Sequence, residues 1–374
     1  MQIQKSNRKN WAVAPTWEVA DSIKRPLEKN RYFKTIIGAS VQDGNLITAE
    51  SFVYTLAGAN AIDISAFPES VKAAQKGLEL AQRIAPELGI DVDTPPAIFV
   101  SVTKPGDPHA LKSRIDLDKC VGCLKCVKVC PDGCISKERI VDLPACRGCD
   151  WCQKVCPVDA IDMAPLSNED YRTVIDSCFK AGADFVELHL SDAKVEEIRQ
   201  IFNDLADLIP PEMFCSVCVG SGLASPKTIL EQCKKIYELH GPLTIIQADG
   251  LPMNSFRTSL QAIATADVIL RSGIPVYVQI SGGVTEITPQ LARMLGVPIN
   301  GIGVGIHALK IIKEFIDAPD FYERRGLIHQ AVARAKDLVN SLAAPEQIVD
   351  YPTSVDVSVD YPANFLGPSL HANR

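Results

Sequence analysis

The sequence predicts an α/β protein, a closed (β/α)8 barrel of the TIM type that carries an inserted module after its third strand. Three observations indicate this fold class. Short β-branched runs alternate with helical patterns along the 374 residues until eight strand–helix units are counted. At four joints a glycine stands between a helical run and the next strand, as a helix C-cap does. A cysteine-rich segment interrupts the alternation once.

The predicted strands are short and regularly spaced. Thr48 is predicted to cap the first helix of the barrel, which ends at Gly58. A doubly wound open sheet is the alternative, because alternation of strands and helices does not by itself establish closure. The expected strands are Thr35–Ser40, Ala61–Ala66, Ile98–Thr103, Phe185–Leu190, Met213–Val219, Leu243–Ala248, Val276–Ser281 and Gly301–Ile306.

The inserted segment contains the spacing C-x2-C-x2-C-x3-C-P twice, from Cys120 to Pro131 and from Cys146 to Pro157. This spacing is typical of bacterial ferredoxins with two [4Fe–4S] clusters, in which the fourth cysteine of each run binds the other cluster. A zinc site or a disulfide framework is the alternative, but a proline after each fourth cysteine disfavours both. The expected ligand sets are Cys120, Cys123 and Cys126 with Cys156, and Cys146, Cys149 and Cys152 with Cys130.

The predicted organisation is discontinuous. A polar leader covers 1–32, the barrel covers 33–103 and 167–344, a ferredoxin-like module covers 104–166, and an extended tail covers 345–374. Because the module follows a strand, we expect it at the C-terminal face of the barrel, where active sites gather. The clusters should then lie over the barrel mouth.

Charge and cysteine usage limit the partners and the compartment. A formal net charge of -7 argues against nucleic acid as a partner. No apolar run is long enough to span a bilayer, and no signal-peptide pattern follows Met1. Thirteen cysteines without an export signal predict a reducing, cytoplasmic location. The five cysteines outside the motifs are expected to be small buried side chains: Cys134, Cys178, Cys215, Cys218 and Cys233.

Polar residues recur at alternate positions of the barrel strands, so that pairs such as Glu187 and His189 share a face. Glycine-rich ends of the last two strands resemble the phosphate grip of flavin-binding barrels. A quinone or a phosphorylated flavin is the ligand expected there. A water-filled polar rim without a ligand is the alternative. The predicted pocket comprises Glu187, His189, Asp249, Gln279, Gly282, Gly283 and Gly303.

Three runs before the doubled cysteine motif, Phe33–Ser40, Ala57–Ser65 and Ile98–Thr103, resemble the light-dependent-period (LdpA) family of cyanobacterial-type circadian systems. All eight motif cysteines match the family pattern, whereas the leader and the tail are not covered. The resemblance implies an iron–sulfur redox sensor that relays the light-dependent redox state of the cell to the circadian clock. It also implies association with clock input and oscillator proteins.

Two functions from different classes therefore compete. The first is a redox sensor without enzymatic activity, in which electron gain or loss at two [4Fe–4S] clusters changes the affinity for a partner. The second is an oxidoreductase whose barrel mouth binds a flavin or a quinone, with the clusters as its electron path. A structural scaffold with relic clusters is a third alternative. The resemblance favours the sensor.

Overall fold

A computed structural model describes residues 17–103, 111–146, 148–165, 170–220, 224–250 and 258–343. The predicted barrel is confirmed, since eight parallel strands close on themselves and the chain is not an open doubly wound sheet. A two-stranded antiparallel ribbon, β4 with β5, belongs to the insertion after β3. The strands are β1 Tyr32–Gly38, β2 Ala61–Ser65, β3 Ala97–Thr103, β4 Leu111–Ile115, β5 Ile161–Pro165, β6 Phe185–His189, β7 Cys215–Val219, β8 Thr244–Ala248, β9 Tyr277–Ile280 and β10 Gly301–Val304.

Helices follow the barrel strands, and two short helices lie in the module. Around the barrel the strand order is β1, β2, β3, β6, β7, β8, β9 and β10, and β10 pairs with β1 to close it. The helices are α1 Trp17–Glu28, α2 Gly44–Ala57, α3 Pro68–Ile84, α4 Lys125–Val129, α5 Trp151–Lys154, α6 Tyr171–Ala181, α7 Val195–Leu205, α8 Pro226–His240, α9 Leu260–Arg271, α10 Thr288–Met294, α11 Ile306–Ile316 and α12 Arg325–Asn340.

The glycines between a helix and the next strand adopt the backbone conformation that their position requires. Gly58, Gly182, Gly273 and Gly296 have φ values of 87°, 100°, 72° and 69°, in the left-handed region that favours glycine. Each of them follows the C-terminal end of a helix, as predicted.

The predicted N-cap of α2 is wrong. Asp43 caps this helix, and its carboxylate accepts hydrogen bonds from the backbone N–H groups of Asn45 and Leu46. Thr48 lies one turn inside the helix, where its hydroxyl donates to the Ala73 carbonyl at 3.0 Å. A carboxylate at the helix start is stabilised by the free N–H groups and the dipole, so the shorter loop with Asp43 is favoured.

The leader is not a loose segment over its whole predicted length of 1–32. Helix α1 occupies Trp17–Glu28, and its Ile23 and Leu27 side chains are completely buried in the barrel core. The apolar spacing of these two residues explains the packing, because residues four apart share one helix face. Residues 1–16 and the predicted tail, 345–374, lie outside the described residues.

The module and the barrel belong to one compact unit that ends at Leu342. The ribbon of β4 and β5 pairs Leu111 with Pro165 and Ile115 with Ile161, so it brings both ends of the module together. This geometry lets the module leave the barrel after β3 and return before α6 without disturbing the strand order. Among the described residues, no helix combines the length and the apolar character needed to cross a membrane.

Candidate iron–sulfur centre and barrel interior

The two cysteine runs adopt the same backbone. Gly122 and Gly148 have φ values of 71° and 73°, and the residues before the short helices, Leu124 and Asp150, have φ values of 55° and 59°. Left-handed residues at these positions turn the chain around the space between the first three cysteines of each run. The sequence repeat is therefore also a structural repeat.

The motif cysteines line two cavities. Both cavities are partly open to solvent, and each receives three cysteines from one run and one from the other. Four thiols around one space, drawn from both runs, fit the ligand requirement of a [4Fe–4S] cluster. The first is lined by Cys120, Cys123, Cys126 and Cys156, and the second by Cys130, Cys146, Cys149 and Cys152 together with Cys134.

In the part of the chain that the structure describes, no three cysteine, histidine or acidic side chains converge on a single metal ion. The thiols of each set instead surround a space. Such an arrangement suits a polynuclear cluster, in which each cysteine binds a different iron.

The module has a very small core of its own. Its buried apolar cluster consists of Ile135 and Ile161 with four thiols, those of Cys126, Cys134, Cys146 and Cys152. So little apolar surface stabilises a segment of this length only weakly. We therefore expect metal binding to supply much of the folding free energy of the module.

A buried lysine joins the second cavity to the barrel. Lys112 of β4 is almost fully buried, and its ammonium group donates to the carbonyls of Leu143 at 2.6 Å and Cys146 at 2.5 Å, and to that of Ser40. Ser40 and Gln42 lie in the connection between β1 and α2, and the Gln42 N–H donates to the Pro144 carbonyl at 2.9 Å. The segment 143–146, which ends at a cysteine of the second cavity, is therefore held to the loop that follows β1.

The middle of the barrel contains a buried charged network. The ammonium group of Lys34, from β1, donates to the Glu187 carboxylate and lies 3.8 Å from Asp63 Oδ2. Ser101 donates to Asp63 Oδ1 at 2.7 Å, and Ser216 donates to Glu187 Oε2 at 2.9 Å. The Lys34, Asp63 and Glu187 side chains have no meaningful access to solvent. Five neighbouring strands, β1, β2, β3, β6 and β7, therefore place polar groups where barrels usually pack branched apolar residues.

The pKa values of the two carboxylates in this network are shifted in opposite directions. Burial and the nearby Glu187 carboxylate raise the pKa of Asp63 to about 8, although Lys34 and Ser101 oppose the rise. Burial also acts to raise the pKa of Glu187, but Lys34, His189 and Ser216 outweigh it and hold that pKa below its ordinary value. Near neutral pH, Glu187 is therefore the ionised partner of Lys34, and Asp63 retains a proton.

The structure brings part of the predicted pocket together. His189 Nε2 lies 3.6 Å from Glu187 Oε1 and 3.3 Å from Ser101 Oγ, so the predicted pair shares one environment. Gln279 donates to Gln247 at 2.6 Å. Gly303 stands against this amide pair, and a side chain there would collide with the Gln279 amide. These residues form the lining of the barrel interior.

The other predicted pocket residues lie towards the loops after the strands. Asp249 follows β8, and its carboxylate lies 3.6 Å from Cys218 Sγ. Gly282 and Gly283 have φ values of 85° and 69°, and an added Cβ would approach the backbone of Gly250 or Thr258 to 2.8 Å. Both glycines are therefore required by close packing of the loops after β8 and β9.

The sequence pattern missed the central cation of the network. Lys34 lies one residue before the predicted start of the first strand at Thr35, whereas β1 begins at Tyr32. A lysine is ordinarily expected at the protein surface, so nothing in the sequence placed it in the barrel interior. Ser216 was missed because it lies between Cys215 and Cys218, in a strand that was expected to contribute only small buried side chains.

Fold and cysteine arrangement together define a (β/α)8 barrel with an inserted ferredoxin-like module. The family described as "Light dependent period A C-terminal domain" matches residues 178–341, and the family "4Fe-4S binding domain" matches residues 113–136. Light dependent period A of Synechococcus elongatus is 28% identical over 353 residues, covering 83% of this chain and 89% of that protein. The resemblance to the LdpA family is thereby confirmed, with a 4Fe–4S binding motif in the inserted module.

Comparison with solved structures gives matches at low sequence identity. A putative fructose-1,6-biphosphate aldolase from Coccidioides immitis is 9% identical with a TM-score of 0.47, covering 87% of this chain and 96% of that one. The YdjI aldolase from Escherichia coli K12 is 10% identical with a TM-score of 0.42, covering 87% and 93%. They add nothing to the closed barrel that the strand pairing already defines.

Proposed function

We propose that the protein is a redox sensor that holds two [4Fe–4S] clusters and relays the light-dependent redox state of the cytoplasm to the circadian clock. The observation that carries the proposal is the crossed lining of the two cavities. Each cavity receives three thiols of one run and the fourth thiol of the other. The likeness to Light dependent period A supports the clock context.

The residues around the cavities have distinct roles in this proposal. When bound, the clusters would accept and release single electrons. Cys123 and Val121 expose the edge of the first cavity to solvent, which favours electron exchange with outside donors. Lys112 binds the Cys146 carbonyl beside the second cavity and the Ser40 carbonyl of the barrel loop. A change of charge at the second site therefore acts on a cation that also holds the barrel.

The clock input and oscillator proteins are the proposed partners. Their affinity would depend on which of two arrangements of the module and the loop after β1 is populated. A single negative charge added near a buried ammonium group is sufficient to change its hydrogen bonding in a low-dielectric site.

A second candidate function is an iron–sulfur oxidoreductase with its active site in the barrel. The buried Lys34, Glu187 and Asp63 network favours it, because titratable groups with displaced pKa values cluster at active sites. In this alternative, Glu187, His189, Asp249, Gln279 and the glycines Gly282, Gly283 and Gly303 would line the site of a quinone or a phosphorylated flavin.

The test compares partner recovery at two redox states. Tagged protein is purified anaerobically, reduced with dithionite or oxidised with ferricyanide, and incubated with extract of light-grown cyanobacterial cells. We expect recovery of identified clock input or oscillator proteins to differ between the two states. The matched control carries Cys123→Ala and Cys149→Ala, one ligand from each set, and should show no difference. Equal recovery by the wild-type protein in both states would contradict the sensor.

The same preparation separates the two functions. A sensor should release no flavin when it is denatured, and quinones should not reoxidise it catalytically. A flavin released in stoichiometric amount, or sustained quinone turnover, would favour the oxidoreductase.

A further inference from the structure

The second cavity contains a fifth cysteine that lies outside the ferredoxin spacing. Cys134 lines the cavity with the four motif thiols, and its side chain is more than nine-tenths buried. Its sulfur lies 3.3 Å from the sulfur of Cys130, the cysteine of the first run that lines this second cavity. Two thiols therefore face the same corner of one cavity.

The internal repeat identifies the position that corresponds to Cys134 in the other half. The Asp142 N–H donates to the Cys134 carbonyl at 2.8 Å, and the Asp116 N–H donates to the Ala160 carbonyl at 2.8 Å. Cys134 follows Cys130 by four residues, as Ala160 follows Cys156. Ala160 is also buried but carries no thiol. The first cavity thus has four cysteines among its described lining residues, and the second has five.

We propose that Cys134 is an alternative iron ligand of the second site, which can replace Cys130 at the same iron. This inference rests on the proposed two-cluster function. The exchange forms a bond from the Cys134 sulfur to iron and breaks the bond from the Cys130 sulfur. The proton of the Cys134 thiol passes to the released Cys130 thiolate, so no electron is gained or lost. A separation of 3.3 Å between the sulfurs makes the exchange a local movement of two side chains.

The first site is the built-in control for the experiment. Cys130→Ala and Cys156→Ala remove equivalent fourth ligands, but only the former leaves a neighbouring thiol. Iron and acid-labile sulfide per chain are measured in anaerobic protein, together with the electron paramagnetic resonance spectrum after reduction. Wild-type protein should hold about eight irons. We expect C130A to retain clearly more iron than C156A, which should fall towards about four.

Two double variants test whether the retained iron depends on the fifth thiol. C130A/C134A should lose the iron that C130A keeps. C156A/A160C places a thiol at the equivalent position of the first half and should regain iron relative to C156A.

Equal iron loss in C130A and C156A would overturn the inference, as would equal iron content in C130A and C130A/C134A. Wild-type protein with fewer than about eight irons would instead reject the two-cluster function itself, and the inference with it. Wild-type protein with the full content but no asymmetry between the two sites would reject the inference alone.

Discussion

Lys34 lies without access to solvent between the Glu187 and Asp63 carboxylates, and its ammonium group lies 5.3 Å from the centre of the Phe99 ring. A buried ion pair contributes little net stability, because desolvation of both charges offsets their attraction. Removal of one partner is different, since it leaves an unpaired charge in the core. The middle of this barrel is therefore sensitive to substitutions that unbalance its charge.

The substitution Lys34→Met tests this balance. It should lower the free energy of unfolding by about 3–5 kcal/mol, because Glu187 then remains buried without its cation. The double variant K34M/E187Q should be more stable than K34M, since both charges are removed together. Urea denaturation followed by circular dichroism measures both values. A double variant no more stable than K34M would contradict the pairing of Lys34 with Glu187.

The pKa of Asp63 predicts a pH dependence of stability. Its value rises from 3.8 to about 8 on folding, so the folded protein holds this proton more tightly than the unfolded chain does. The stabilisation is fully present below about pH 4 and is lost as the pH rises through about 8. Glu187 has the opposite shift, and its contribution is lost only as the pH falls below its ordinary value.

The difference in unfolding free energy between wild type and Asp63→Asn isolates this effect, because other titrating groups such as His240 contribute equally to both proteins. From pH 5 to pH 8 the difference should decrease steadily, by at most about 1.4 kcal/mol per pH unit. Asp207→Asn is the control, since the Asp207 pKa of about 2, set mainly by Arg172, places its titration outside this window. A constant difference for Asp63→Asn would show that Asp63 is ionised in the folded state.

The roles of some individual residues could be predicted from the sequence, and those of others could not. Parity along a strand was sufficient to pair Glu187 with His189. It did not reveal that Gly283 is required by the backbone of Thr258, since contacts between loops depend on the tertiary fold. Lys34 was not predicted as a buried cation for a similar reason, because burial of a charge depends on partners that are distant in sequence.

At the scale of elements, the module and the barrel differ in what stabilises them. Four of the six residues in the buried cluster of the module are cysteines, whereas the barrel has a continuous apolar core. The module should therefore depend on its metal, and the barrel should not.

Removal of iron from anaerobic protein with a strong chelator should unfold the module alone. Helical circular dichroism should fall only slightly, because α4 and α5 are its only helices among the described residues. Limited proteolysis should then cut within 111–165 while the barrel resists, and resupplied iron and sulfide should restore protection. A single cooperative loss of both parts would show that the module and the barrel are not independently stable.

Helix and strand positions were largely predictable, because the apolar period and the glycine joints are local signals. The first residues of helices were less predictable: α2 is capped by Asp43 and not by Thr48. Helix α1 was hidden in a polar sequence whose only apolar signal was a narrow stripe containing Ile23 and Leu27.

At the scale of the whole molecule, the fold places the ferredoxin-like module against one loop of the barrel mouth. Closure of the barrel was predicted from the count of strand–helix units, and the pairing of β1 with β10 confirms it. The contact between Lys112 and Ser40 could not be predicted, because β4 and the loop after β1 meet only in the folded protein. In the proposed function, that contact is the route by which a change of charge in the module would reach the barrel.

The most direct test of the account is an anaerobic potentiometric titration of the wild-type protein, with iron counted per chain and spectra recorded by electron paramagnetic resonance. We predict about eight irons and two reducible [4Fe–4S] clusters. Their reduced signals should be broadened by mutual coupling, because both clusters lie within one small module. A content of about four irons, a single uncoupled signal, or zinc in place of iron would contradict the central claim.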